Sequence, residues 1–224
     1  MNTFETYKQF LRTNYPNFYK ITFSKLEKKQ ASYFAESVTT IYKLLFHISI
    51  AKENKCSIFL SETEQLILRL LIIIPNNDSF SINLIYRAIS ESLLRFIVLE
   101  SPNNHINQEL LNNLSFSQLK QAIQQDSFLF KRKSEFNYLF SLFSSSSLKM
   151  HNPEKSIQNM DYLNDIFYQK LNYKHLKSAT NNLNSLFYKF IIPELLKIRL
   201  NNLSLSDKIK IKKYLSNTEI NAYS

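Results

Sequence analysis

The stretch Ser81–Leu99, SINLIYRAISESLLRFIVL, decides the fold class. On a wheel of about 3.6 residues per turn, Ile82, Ile85, Tyr86, Ile89, Leu93, Phe96 and Ile97 fill one broad face. Leu84, Leu94 and Val98 interrupt the opposite side, where Asn83, Arg87, Glu91 and Arg95 also lie. A helix that is apolar nearly all round is a buried one. Arg87, Glu91 and Arg95 recur at i, i+4 and i+8, so three charges share a partly desolvated stripe. Charges there need partners, because burying them alone is costly. Glu91 stands one turn from each arginine and can pair with either. Three readings follow: a structural ion network that fixes how this helix meets its neighbours, an arginine-lined recess for an anion such as phosphate, or a solvated stripe.

The rest of the chain reads as helices around this one. Ser24-Lys25-Leu26-Glu27 has the form of a capping box and predicts a helix of some 30 residues ending at Asn54. Ser61-Glu62-Thr63-Glu64 predicts a second, very apolar helix that stops at Pro75. Cys56–Leu60 is the one strand-like run and is too short for a sheet. Ser117 is placed to cap a short helix through Gln125. Helical patterning resumes at Ser134 and is expected to end in the Ser144–Ser147 run, since serine competes for backbone hydrogen bonds. Further helices are expected over 154–171 and 173–201, the latter kinked at Pro193, with a short basic helix capped by Ser206. Residues 1–23 read as an aromatic, irregular arm and 204–224 as a basic tail. No repeat or composition break divides the chain, so the expectation is one all-α domain over 1–224, a single helical bundle of about seven or eight helices.

Composition excludes several functions. The chain has 224 residues, with 13 Tyr, 18 Phe and no Gly. Without glycine no GxGxxG or GxxxxGK[ST] phosphate loop and no GxSxG elbow can form. Asparagine must fill left-handed positions, and Asn76-Asn77, Asn103-Asn104 and Asn201-Asn202 follow helical patterns closely. The single Cys56 excludes an internal disulfide and a cysteine-rich zinc site. The start has no signal-peptide pattern and no apolar run is long enough to span a bilayer, which points to a cytoplasmic protein. The net charge of +10 favours a polyanion or an acidic partner.

Candidate chemistry is sparse. None of His47, His105, His151 and His175 has metal-ligand spacing to another ligand type. Asp161 and Asp165, at i and i+4, form a carboxylate pair of the kind that is usually solvated, so no metal or cofactor is expected. Ser147 and His151 stand four apart where the chain turns, and a histidine at a helix end near basic residues is either an acid, base or phosphate donor, or a cap. Lys131, Arg132 and Lys133, with Lys170, Lys174, Lys208 and Lys212, are candidates for a phosphate-tracking surface or for ordinary solvated helix faces.

The Arg87-to-Glu91 helix, followed some 50 residues later by Ser147-x-x-x-His151 and then a long final helix, resembles the abortive-infection and HEPN-like α-helical proteins of bacteria. The resemblance covers residues 60–200. It implies a HEPN-like bundle, a role in phage defence or a toxin–antitoxin system, and homodimerisation. Active HEPN ribonucleases carry Arg-x4–6-His, and this chain has none; Lys170-x4-His175 comes nearest, with lysine in place of the guanidinium fork. The expected function is RNA binding, with metal-independent endoribonuclease activity as its catalytic form. Arg87, Glu91 and His151 would be catalytic, and Arg95 and Ser147 would bind phosphate. The alternative is a non-enzymatic helical regulator or inhibitor that binds a protein or nucleic acid through a basic face.

Overall fold

The computed structural model describes residues 3–151 and 171–224. Its longest helix, α3 (Lys28–Asn54), buries Phe34, Val38, Ile41, Leu44 and Ile48 on one stripe. Beside it lies α10 (Tyr173–Leu186), which buries Leu176, Ala179, Leu183 and Leu186. Lys177 pairs with Glu36, Thr40 Oγ1 donates to Asn181 Oδ1 at 3.0 Å, and the His47 and Tyr188 rings lie 6.4 Å apart. All three contacts keep an offset of 141 residues, so the two helices run parallel. On the other side α4 (Ile58–Ile73), α5 (Ser79–Leu99) and α9 (Lys133–His151) complete the body. Residues of all five helices join one hydrophobic core. Among the described residues every regular element is helical, and no helix is long and apolar enough to cross a membrane.

Several boundaries differ from expectation for physical reasons. Residues 1–23 are not irregular where described: α1 (Thr3–Asn14) and α2 (Pro16–Lys25) are helices, with Pro16 in a first turn, where a missing N–H costs nothing. Tyr7 anchors α1 by donating to the Leu71 carbonyl at 2.6 Å. Ser24 therefore closes α2 rather than opening a helix; the break falls at Leu26, whose backbone is extended. Ser61 is likewise internal. Helix α4 starts a turn earlier and absorbs the strand-like Cys56–Leu60 run from Ile58 onward. Ser115, not Ser117, caps α7 (Phe116–Gln125), in a reciprocal box with Gln118. The serine run does not end α9: Ser141 Oγ and Ser145 Oγ bond back to the Tyr138 and Leu142 carbonyls, so these hydroxyls are accommodated within the helix.

The predicted last helix ends early. Pro193 has no N–H to give, and the ladder widens into a π-helix over Phe187–Leu195. Lys197, at φ 53°, then turns the chain. Asn77 (φ 55°) is the other described residue at positive φ. Asn104 works through its side chain instead, bonding the Leu99 and Ile106 carbonyls and the Ile106 N–H. Beyond a 3-10 turn, Ser204 rather than Ser206 caps α11 (Leu205–Tyr214), and Ser216 caps α12 (Asn217–Ile220). With α6 (Gln108–Asn113) and α8 (Ser127–Lys131) the described residues hold twelve α-helices, more than expected, because α1 and α2 replace the irregular arm and α8 and α12 are too short to show periodicity. The helix expected over 154–171 lies, up to residue 170, outside the described residues.

The tail 204–224 is not merely a basic extension. Glu219 accepts from Lys43 Nζ at 2.8 Å, Asn184 Nδ2 at 2.7 Å, and the Ser216 N–H and Oγ at 2.8 and 2.7 Å. Tyr223 is fully buried, with its hydroxyl 2.7 Å from His47 Nδ1. The C-terminal turns thus latch onto α3 and α10.

Candidate functional site

Helix α5 is launched by a tight device. Asn77 takes the left-handed turn, and the Asp78 carboxylate accepts from the Phe80 and Ser81 N–H groups as N-cap. From there the Arg87, Glu91, Arg95 stripe is presented between α6, α7 and α9. Glu91 chooses Arg95: Nη2 meets its Oε1 at 2.7 Å. The same guanidinium donates to the Leu111 carbonyl through Nε at 3.0 Å and to the Leu114 carbonyl at 3.2 Å. These carbonyls belong to the C-terminal end of α6. Arg95 therefore caps α6 and ties it to α5, with its charge set against the negative end of that short helix. Glu91 and Arg95 together form an internal tether.

Arg87 has a different setting. Among the described residues it has no carboxylate partner. Its guanidinium carbon sits 5.0 Å from the centre of the Phe143 ring. Phe143 in turn stacks on Phe116, with centroids 3.6 Å apart and planes 5° from parallel. Phe140 meets Phe116 edge-on at 5.8 Å, and Lys133 Nζ lies 6.0 Å from the centre of the Phe140 ring. Arg87, Phe143, Phe116, Phe140 and Lys133 are all half-buried. A column of rings thus runs along the α5–α9 face with a cation at each end.

The direction of α9 sets the reach of the other candidates. Ser101 Oγ bonds Asp126 at 2.5 Å, which ties the C-terminal end of α5 to the chain just before α9. Arg87, nearer the start of α5, meets Phe143 in the second half of α9. Helix α9 therefore runs back along α5. Ser147 follows Phe143 by one turn on the same stripe, and its Oγ is buried with no hydrogen-bond partner among the described residues. His151 closes α9, and its side chain lies outside the described residues. Eight residues, about 12 Å of helix rise, separate it from Phe143. Arg95 lies a similar rise beyond Arg87 in the opposite direction. Arg87 meets α9 at Phe143, one turn before Ser147, and Arg95 lies at the end of the α5 stripe away from His151.

The basic residues scatter. Lys131 is exposed at the end of α8, and Arg132 is engaged by Glu194, Nε to Oε2 at 3.0 Å. Lys174 is exposed on α10. Lys208 donates to the Asn201 carbonyl at 3.2 Å. It shares α11 with the exposed Lys212, and that helix reaches the body where Tyr214 meets Phe46 of α3. Lys170, Asp161 and Asp165 lie outside the described residues. Among the described residues no group of three or more His, Cys, Asp or Glu is placed to hold a metal ion.

Sequence reasoning missed Phe116 and the ring column. The signal was present in part: Phe136, Phe140 and Phe143 at i, i+4 and i+7, next to the Lys131–Lys133 run. It also missed the polar cluster at the other side of the body. His47 is buried, which pushes its imidazole pKa down to about 4; the Glu219 carboxylate pulls upward and Lys43 downward. Burial pushes the Glu219 carboxyl up, but its bonds from Lys43, Ser216 and Asn184 outweigh this and hold it at about 2.

No protein-family model, curated protein or solved structure matches the chain.

Proposed function

We propose that this is a HEPN-like α-helical protein that binds RNA through the α5–α9 face, with Arg87 as the central phosphate-binding group. One observation carries the reading. Arg87 is a half-buried guanidinium laid on an aromatic ring, without a carboxylate partner among the described residues, while the neighbouring Arg95 is consumed by Glu91 and two carbonyls. A guanidinium with free donors matches phosphate bidentately. Lys133, at the other end of the ring column, extends positive charge along the same face. The net charge of +10 adds long-range attraction for a polyanion.

The geometry favours binding over cleavage. A ribonuclease built from Arg87, Glu91 and His151 would need all three at one phosphate. Glu91 is committed to Arg95, and His151 is about 12 Å of helix rise from Phe143, the ring that carries Arg87. A place in phage defence or a toxin–antitoxin system follows from the resemblance alone and is proposed on that footing, as is homodimerisation.

The test is fluorescence anisotropy of a labelled RNA oligonucleotide over a salt series, with wild type and Arg87→Gln. Log affinity should fall linearly with log salt, and the variant should lower that slope by about one phosphate contact. Affinity that ignores salt, or a variant with the wild-type slope, contradicts the reading.

A further inference from the structure

Resting on that reading, we infer that the ligand is single-stranded nucleic acid, with an unpaired base continuing the Phe116–Phe143–Arg87 column. Phe116 and Phe143 form a parallel pair 3.6 Å apart between centroids, and the Arg87 guanidinium follows at 5.0 Å from Phe143. Each ring spends one face on the next, so the column ends in Arg87. The Arg87 guanidinium thus has the Phe143 ring behind it. Bases stack on arginine planes as they do on aromatic rings, while the N–H edge stays free for phosphate. Duplex phosphates can reach an arginine but cannot offer an unstacked base to it. A site built only for phosphate has no use for the ring pair; lysines on a helix face suffice for that.

At the other end of the column, Lys133 over Phe140 places a second cation along the path a strand would follow. Phe140 meets Phe116 at 69°, which closes the column on that side. The stack therefore extends only outward, past Arg87.

The experiment compares three probes on the full chain: a single-stranded RNA oligonucleotide, the same sequence as a duplex, and inorganic polyphosphate. Wild type is measured beside Arg87→Lys, which keeps charge but loses the plane, and Phe143→Leu, which removes the support. Thermal melting confirms that each variant is folded. The single strand should bind more tightly than the duplex. Both variants should weaken it by roughly tenfold more than they weaken polyphosphate, in line with the loss of one base stack. Should Phe143→Leu fail to fold, Arg87→Lys carries the comparison alone. Equal affinity for strand and duplex, or equal losses on RNA and polyphosphate, overturns the stacking inference and leaves phosphate binding intact. No binding of any probe by wild type removes both this inference and the RNA reading.

Discussion

Replacing Glu219 by glutamine tests the polar latch that holds the C-terminal turns to the body. The carboxylate is 4% exposed and accepts from four donors, at 2.8 Å from Lys43, 2.7 Å from Asn184, and 2.8 and 2.7 Å from Ser216. Burial raises its pKa, and those donors outweigh the rise, taking it from 4.5 to about 2. A depressed carboxylate stabilises the fold at pH above its unfolded value of 4.5, and that stability drains away as pH falls from there toward 2. The shift corresponds to about 3 kcal/mol at pH 7. Glu219→Gln keeps the shape, loses the charge, and turns an N–H group toward other donors. Thermal melting followed by circular dichroism at 222 nm should show a loss of about 6–12 °C in Tm at pH 7, given about 2–4 °C per kcal/mol for a chain of this size. At pH 3 the wild type has given up most of its advantage, and the gap should shrink to about 1 kcal/mol. A gap of the same size at both pH values, or none at pH 7, would refute the reasoning.

Three further outcomes follow from the same geometry. His47 has its folded pKa lowered to about 4 from 6.5, so stability should also decline between pH 6.5 and 4; His47→Gln should flatten that part of a melting-temperature profile against pH. Arg95→Ala strands the Leu111 and Leu114 carbonyls and Glu91, and should cost about 1–3 kcal/mol in urea denaturation, with faster amide exchange in α6 than elsewhere. Lys197→Gly removes the Cβ from a left-handed residue at φ 53° and should raise stability by about 1 kcal/mol in the same assay.

The sequence foretold α5 well. Its apolar residues run nearly round the wheel, and only a buried helix satisfies that. The core stripe of α3 was legible for the same reason. Helix starts were read less well: Ser24 and Ser61 satisfy the capping pattern, but each lies inside a helix already under way. A capping box states what could begin there and says nothing about an earlier start. The latch was illegible, because Lys43 and Glu219 are 176 residues apart, and the local Ser216-to-Glu219 capping pattern carries no sign of a lysine on α3. For the charged stripe, spacing offered Glu91 two equivalent arginines. The choice of Arg95 was made by the Leu111 and Leu114 carbonyls, which converge on it from a loop and a helix too short to show a period. The partner of Arg87 was hidden likewise, since nothing in the sequence set Phe116 against Phe143 or Phe143 against Arg87.

In the proposed function, nucleic acid lies on the α5–α9 face. Hydrogen–deuterium exchange with and without a saturating single-stranded RNA oligonucleotide addresses it most directly. Slowed exchange should concentrate in residues 81–91 and 133–147, around Arg87, Phe143 and Lys133. Protection confined to α11 and the exposed face of α10, where Lys208, Lys212 and Lys174 lie, with none around Arg87, would contradict it.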